Sequence, residues 1–220
     1  MRAVLAIAAA AAVSLGATSR ANASDITWAT VADETERPTD VLTDGTLVGA
    51  VTAGKTVTVN GVKFVGQTPS KTAGLILFGA APITVEAVMN NYDQYGAPPA
   101  KWDPGYRILV SGGAYSEVPS PMKINISGLT VGKKYSVQIF EAFWNKNYPT
   151  AYTGGQNTSG ALNGSGDAST GSAASSTAQY VTGTFVADAE KESISLTSPS
   201  TWMVFDAVQV RDLGVPPAGN

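Results

Sequence analysis

Residues Met122 to Phe140 read MKINISGLTVGKKYSVQIF, and their periodicity constrains the fold more than any other stretch of the chain. Ile124 and Ile126 alternate with Lys123 and Asn125. After Gly128-Leu129-Thr130-Val131-Gly132, the residues Tyr135, Val137 and Ile139 alternate with Ser136 and Gln138. Successive side chains of an extended strand point to opposite faces, so this period separates apolar from polar residues as a strand and mixes them as a helix. Two such runs meeting at a glycine-bearing corner read as two strands of an antiparallel sheet. The spacing of Leu129, Gly132 and Tyr135 matches a corner of β-sandwich domains in which a tyrosine hydroxyl bonds back to the preceding turn.

The same pattern recurs along the chain. Ile26-Thr27-Trp28 opens an alternating segment, and Leu47 to Val51 follows the turn signal Asp44-Gly45. Lys55 to Val65, KTVTVNGVKFV, has Asn60-Gly61 between two valine-rich runs, as a type I′ hairpin requires. Further strands are expected at Leu75 to Phe78, Ile83 to Val88, Tyr106 to Val110, Tyr180 to Ala187, Ser193 to Leu196 and Trp202 to Leu213, with Ser111 to Pro121 a connection. Met89 to Gly105 breaks the pattern with Asn90-Asn91, Pro98-Pro99 and Asp103-Pro104-Gly105 and reads as an aromatic-rich loop. Helix signals are nearly absent, so the fold class expected is all-β: a two-sheet antiparallel β-sandwich or jelly roll in one domain, residues 24–213. The segment from about 153 to 178 is almost entirely Gly, Ser, Thr, Ala and Asn. It has too little apolar surface to offset its ordering entropy, and a flexible loop is expected there. A disordered tail is expected over 214–220.

The first 23 residues read as an address. Met1-Arg2 is a short basic start, Ala3 to Leu15 is apolar, and Ala21-Asn22-Ala23 is a small-x-small cleavage pattern; together they describe a secretory signal peptide. The expected product is secreted, extracellular or periplasmic, with its mature chain starting near Ser24 and no transmembrane segment. Without Arg2 and Arg20 the chain carries 12 basic against 17 acidic residues, a balance of −5 that argues against nucleic acid as a partner. There is no cysteine and no histidine, so Ser-His-Asp and Cys-His nucleophiles cannot be built and zinc loses its preferred ligands.

Five segments occur in a recognisable order: Asn60-Gly61-Val62 with Phe64, Tyr106 to Tyr115 (YRILVSGGAY), Ile126 to Gln138, Gln179 to Phe185, and Asp206 to Arg211. Together they resemble a group of exported β-sandwich proteins of unknown function from planctomycete-type and related environmental bacteria. The Leu-x-x-Gly-x-x-Tyr corner and the closing Asp-x-Val-x-Val strand also look like the galactose-binding-like jelly roll of carbohydrate-binding modules. That second resemblance implies a structural calcium between the first and last strands, with Asp206 as the matching carboxylate. The acidic pair usual in the first strand is missing from Ile26-Thr27-Trp28, and Trp144-Asn145-Lys146-Asn147 stands where the first group often carries an Asn-Asp-x-Arg-like turn.

Two loops carry the mixture of aromatic faces and amide or carboxylate edges that sugars need. Tyr92, Asp93, Tyr95 and Trp102, with Asn90 and Asn91, form one; Trp144, Asn145, Asn147 and Tyr148, with Tyr152, form the other. The bland alternative is that these aromatics cap the ends of the sandwich. A pair of carboxylates from Glu86, Asp93, Asp103, Glu117 and Glu141 could serve a glycan hydrolase or lyase, although surface carboxylates are usually just solvated. The expected function is non-catalytic recognition of extracellular glycan by a monomer. The alternative is a structural or adhesive protein that contacts cell-surface proteins or itself.

Overall fold

The computed structural model describes residues 23–33, 37–66, 76–87, 93–94, 102–120, 122–142, 148–163 and 178–216. In chain order the elements are β1 (Thr27–Trp28), β2 (Ala32–Asp33), β3 (Thr46–Thr52), β4 (Val57–Val59), β5 (Val62–Gly66), β6 (Ile76–Ala80) and β7 (Ile83–Ala87). Then come β8 (Asp93–Gln94), α1 (Pro104–Leu109), β9 (Gly112–Glu117), β10 (Met122–Ser127), β11 (Lys134–Glu141) and β12 (Ala151–Gly154). The last are β13 (Asn157–Thr158), β14 (Gln179–Val186), β15 (Lys191–Thr197), β16 (Trp202–Phe205) and β17 (Ala207–Gly214). The fold is an all-β sandwich. Its large sheet runs β1-β14-β11-β17-β3-β5-β4, its second sheet β13-β12-β15-β10-β7-β6, and a small third sheet β16-β9-β8.

The alternation read from the sequence decides which side chains meet. Val51, Val137, Ile139, Val181 and Val208 of the large sheet share a hydrophobic core with Ile83, Val85, Ile124, Ile126 and Ile194 of the second. The large sheet is covered on its other face too. Ala50, Phe140 and Ala207, one residue out of phase, pack with Phe64 of β5 and with Trp102, Tyr106 and Leu109 of α1 and its approach. Burial on both faces explains why β11 ends in an unbroken buried run, Val137 to Glu141.

Asn60 and Gly61 hold φ of 48° and 75°, the left-handed conformation that a type I′ turn demands, and join β4 to β5 as the sequence leads one to expect. The tyrosine corner is also present: the Thr130 N–H donates to the Tyr135 hydroxyl at 2.8 Å, and the Tyr135 ring stacks on Phe185. The corner has a different job from the expected one, however. β10 and β11 do not pair; β10 lies between β15 and β7, and β11 between β14 and β17. Because the corner carries the chain from one sheet to the other, its hydroxyl bond fixes how the two layers join. Tyr135→Phe is expected to lower stability by about 1 kcal/mol, read as a shift in urea midpoint.

Four other expectations are corrected. Tyr106 to Val110 is helical, because the Asp103 carboxylate accepts from the N–H groups of Gly105 (2.8 Å) and Tyr106 (3.0 Å) and Pro104 sits at the first helical position. Ser111 to Pro121 contains β9, a strand of small residues with little β-branched character. Trp202 to Leu213 is two strands in different sheets, split at Asp206. The segment expected to be a flexible loop begins as structure: Thr153 and Gly154 pair with Thr158 and Asn157, and Leu162 is buried and bridges Thr150. The remainder of that segment, 164–177, lies outside the described residues, as do residues 1–22 of the expected leader and the end of the tail, 217–220.

Candidate functional site

The small sheet gathers what the sequence scatters. β9 pairs on one side with β16, Trp202 opposite Glu117, and on the other with β8, Asp93 opposite Gly113. Alternation along β9 turns Ser116 inward, fully buried, and leaves Tyr115 half-buried and Glu117 exposed on the outer face. Trp202, opposite Glu117, shares that face, and its ring meets Tyr115 edge-to-face at 5.0 Å. An aromatic pair with a carboxylate beside it therefore stands half-exposed on a short sheet.

Both loops singled out in the sequence lead to this sheet. β8, within the first loop, is its edge strand. Beyond the second loop, the Thr150 hydroxyl accepts from the Val204 N–H of β16 at 3.0 Å and donates to the Tyr148 carbonyl at 3.2 Å, which pins half-buried Tyr148 near the opposite edge. Tyr92, Tyr95, Trp144, Asn145 and Asn147 lie outside the described residues; for Asp93 the backbone alone is described. Trp102 is a correction: it is 2 % exposed, packed edge-on against Tyr106 in the core beneath α1, and offers no platform. Tyr152 is likewise fully buried, facing the core from β12. Tyr115 and Trp202 were the residues to find, and the alternation of Tyr115 and Glu117 with Ala114 and Ser116 was the available signal.

A second cluster sits inside the sandwich where β11 ends. Glu141, Asp206, Tyr152 and Thr150 are all 0 % exposed. The Tyr152 hydroxyl lies 3.3 Å from Glu141 Oε2 and 3.4 Å from the Val204 carbonyl. Burial, together with the charges of Glu141 and Asp206, pushes the Tyr152 phenol well above its ordinary value, so it stays a proton donor. Asp206 sits where the chain leaves the small sheet for the large one. Its backbone bonds Phe140 and Ala53, its Oδ2 accepts from the Ala142 N–H, and its Oδ1 has no hydrogen-bond partner.

These residues do not fit the implied calcium. β1 lies at the edge of the large sheet with β14 and β11 between it and β17, so Asp206, at the head of β17, does not face the first strand. Calcium takes six to eight oxygen ligands, usually with several carboxylates. Among the described residues no three acidic side chains come together to hold a metal. Of the carboxylates weighed for a hydrolase or lyase, Glu141 is sealed in, Asp103 caps α1 and Glu86 accepts from Asn125 at 2.7 Å, while Glu117 is exposed on the small sheet.

Burial holds the Asp206 carboxyl well above the usual aspartate range, only partly opposed by the Ala142 N–H. The folded state therefore binds this proton more tightly than the unfolded chain. The stability this group supplies is complete below the unfolded value of about 3.9 and is lost as pH rises through the higher folded value. Asp206→Asn keeps the acceptor without the charge. It is expected to raise stability by about 2 kcal/mol at neutral pH, with the gain vanishing toward pH 4, as read from urea melts across that range.

No family model, curated protein or solved structure matches the chain.

Proposed function

We propose that the protein is an exported, non-catalytic β-sandwich module that recognises extracellular carbohydrate on the outer face of its small sheet. The observation that carries this reading is the half-exposed Tyr115–Trp202 pair with Glu117 on the same face. Aromatic rings offer a surface to the apolar face of a pyranose, and a carboxylate accepts from its hydroxyls. Strand β8 at one edge of this sheet and Tyr148, held through Thr150 near β16, belong to the two loops rich in aromatic and amide residues. The leader-like start and the resemblance to exported and galactose-binding-like modules agree with a role outside the cytoplasm.

Affinity electrophoresis on plant, algal and bacterial polysaccharides, with glycan arrays alongside, tests the reading. At least one polysaccharide is expected to retard the protein. Trp202→Ala and Tyr115→Ala are expected to weaken that retardation about 10-fold or more with the fold intact, since an aromatic contact of this kind contributes roughly 1–2 kcal/mol. A folded protein that no polysaccharide retards, or retardation indifferent to both substitutions, would sink it.

One observation favours the structural or adhesive alternative. Val131, Val186 and Val215 are 58 %, 47 % and 77 % exposed at the end of the sandwich where β11 begins, away from the small sheet. Exposed aliphatic side chains grouped at one end suit contact with another protein or a second copy. Sedimentation over a concentration series separates the two readings, a glycan module of this kind remaining monomeric.

A further inference from the structure

The first described residues are held more firmly than a chain end needs. Ile26 is fully buried, its N–H donates to the Gly154 carbonyl of the second sheet, and the next two residues pair with Thr184 and Gly183 of the large sheet. The segment therefore spans both layers of the sandwich. One residue earlier, the Asp25 carboxylate accepts from the Gln156 N–H at 2.7 Å. One earlier again, Ser24 is 5 % exposed; its backbone nitrogen lies 2.6 Å from Glu192 Oε2, and its hydroxyl donates to Asp188 Oδ1 at 2.9 Å. Ala23 lines the mouth of an open groove of about 460 Å³ with Glu86, Asn125, Lys191 and Glu192.

Glu192 is an odd residue to place beneath a peptide N–H. It is 2 % exposed, and its other oxygen accepts from the Ser193 N–H at 3.0 Å. Burial pushes its carboxyl up, as does nearby Asp188, and the neutral donors around it only partly offset that cost. A cation at the Ser24 nitrogen would complete the arrangement, and the sequence puts a leader cleavage pattern, Ala21-Asn22-Ala23, immediately before it.

We propose that cutting the Ala23–Ser24 bond turns the Ser24 nitrogen into an ammonium that docks on the Glu192 carboxylate beside Asp188, making the mature N-terminus a clasp across the two sheets. The step is hydrolysis by an export signal peptidase. Water adds across the amide, the leader leaves with the new Ala23 carboxylate, and Ser24 keeps the nitrogen as an ammonium. The same position thus exchanges one neutral donor for three charged ones, and a charge-assisted bond to a buried carboxylate is about twice as strong as a neutral one. Removal of the leader then completes the fold of the exported chain, which couples stability to arrival in the right compartment.

The test uses the full chain exported from a bacterial host and processed there. Intact mass should show a chain beginning at Ser24. Its α-amine should titrate about one unit or more above the free value of about 8, because an opposite charge sits in contact with it. Inserting one glycine between Ala23 and Ser24 returns a neutral peptide N–H to the clasp. This is expected to lower the urea midpoint below pH 8, to matter less as the pH rises through the raised amine value, and to do nothing in a Glu192→Gln background. The proposal rests on the export reading. A chain that is never processed overturns both, whereas a processed chain that begins elsewhere, an amine with an ordinary value, or a glycine effect equal in both backgrounds overturns the clasp alone.

Discussion

Arg211→Met is expected to cost about 3 kcal/mol or more, among the largest effects of any single substitution in this protein. Arg211 is 7 % exposed on β17, and its guanidinium is committed to three backbone carbonyls: Asp44 at 2.7 Å, Thr43 at 2.7 Å and Gly45 at 2.9 Å. It continues a polar row across the outer face of the large sheet. Gln138 and Gln209 bond each other at 2.7 Å and bond the backbone of Asp40 and Leu42, so residues 40–45 are bound to the sheet without being a strand of it. Methionine keeps the packing of the stem but leaves three carbonyls without donors, each a charge-assisted bond of roughly 1.5 kcal/mol or more. Arg211→Lys should recover only part of the loss, since a single ammonium cannot span the fork. Urea denaturation of the three proteins checks both statements; a methionine variant with an unchanged midpoint would mean that the row holds nothing.

Ile26→Ala is expected to cost about 3 kcal/mol, the middle of the range for emptying a fully buried aliphatic site. Its side chain fills a slot made by two glycines, Gly154 of the second sheet and Gly183 of the large one. A methyl on either would collide with Ile26, and one on Gly183 would also meet the Trp28 ring at 2.8 Å. Gly183→Ala should therefore destabilise the native protein by overpacking, by about 1–3 kcal/mol, and should cost less once Ile26 is alanine. A double-mutant cycle measures the coupling. Additive losses would mean that Ile26 does not seat against these glycines.

How much of this was legible depends on the range of the forces involved. The hairpin at Asn60-Gly61 and the corner at Tyr135 are local: a left-handed turn and a five-residue hydroxyl bond need only neighbours in the chain, and both stand where the sequence puts them. Helix α1 was local as well, yet its signal was three residues, Asp103-Pro104-Gly105, competing with an apolar run that alternates by coincidence. The candidate site was only half legible. The sequence directs attention to loops rich in aromatics, but it cannot tell a tryptophan that faces water from one that fills a core. Trp102 went inside because α1 lays it against Tyr106, while Trp202 stayed half-exposed because β16 lies on the short third sheet.

Asp206 carries the same lesson in another form. A resemblance singles it out as a carboxylate at the head of the last strand, and it is one. What surrounds it depends on Phe140, Ala142 and Tyr152, residues 54 or more positions away in the chain.

By itself the sequence determined the class of object: period-two patterning with turn residues between the runs makes strands, and an apolar face on each strand makes layers. It also determined what chemistry the chain lacks, since nothing in folding can supply a histidine or a cysteine. Tertiary structure alone decided which strands became neighbours, that β10 and β11 lie in different sheets, and that Tyr115 meets Trp202 across 87 positions of sequence. The physical reason is that backbone pairing is much the same for any two strands. The choice among partners is made by how side chains from distant segments fill a shared interior, and that is a property of the whole molecule.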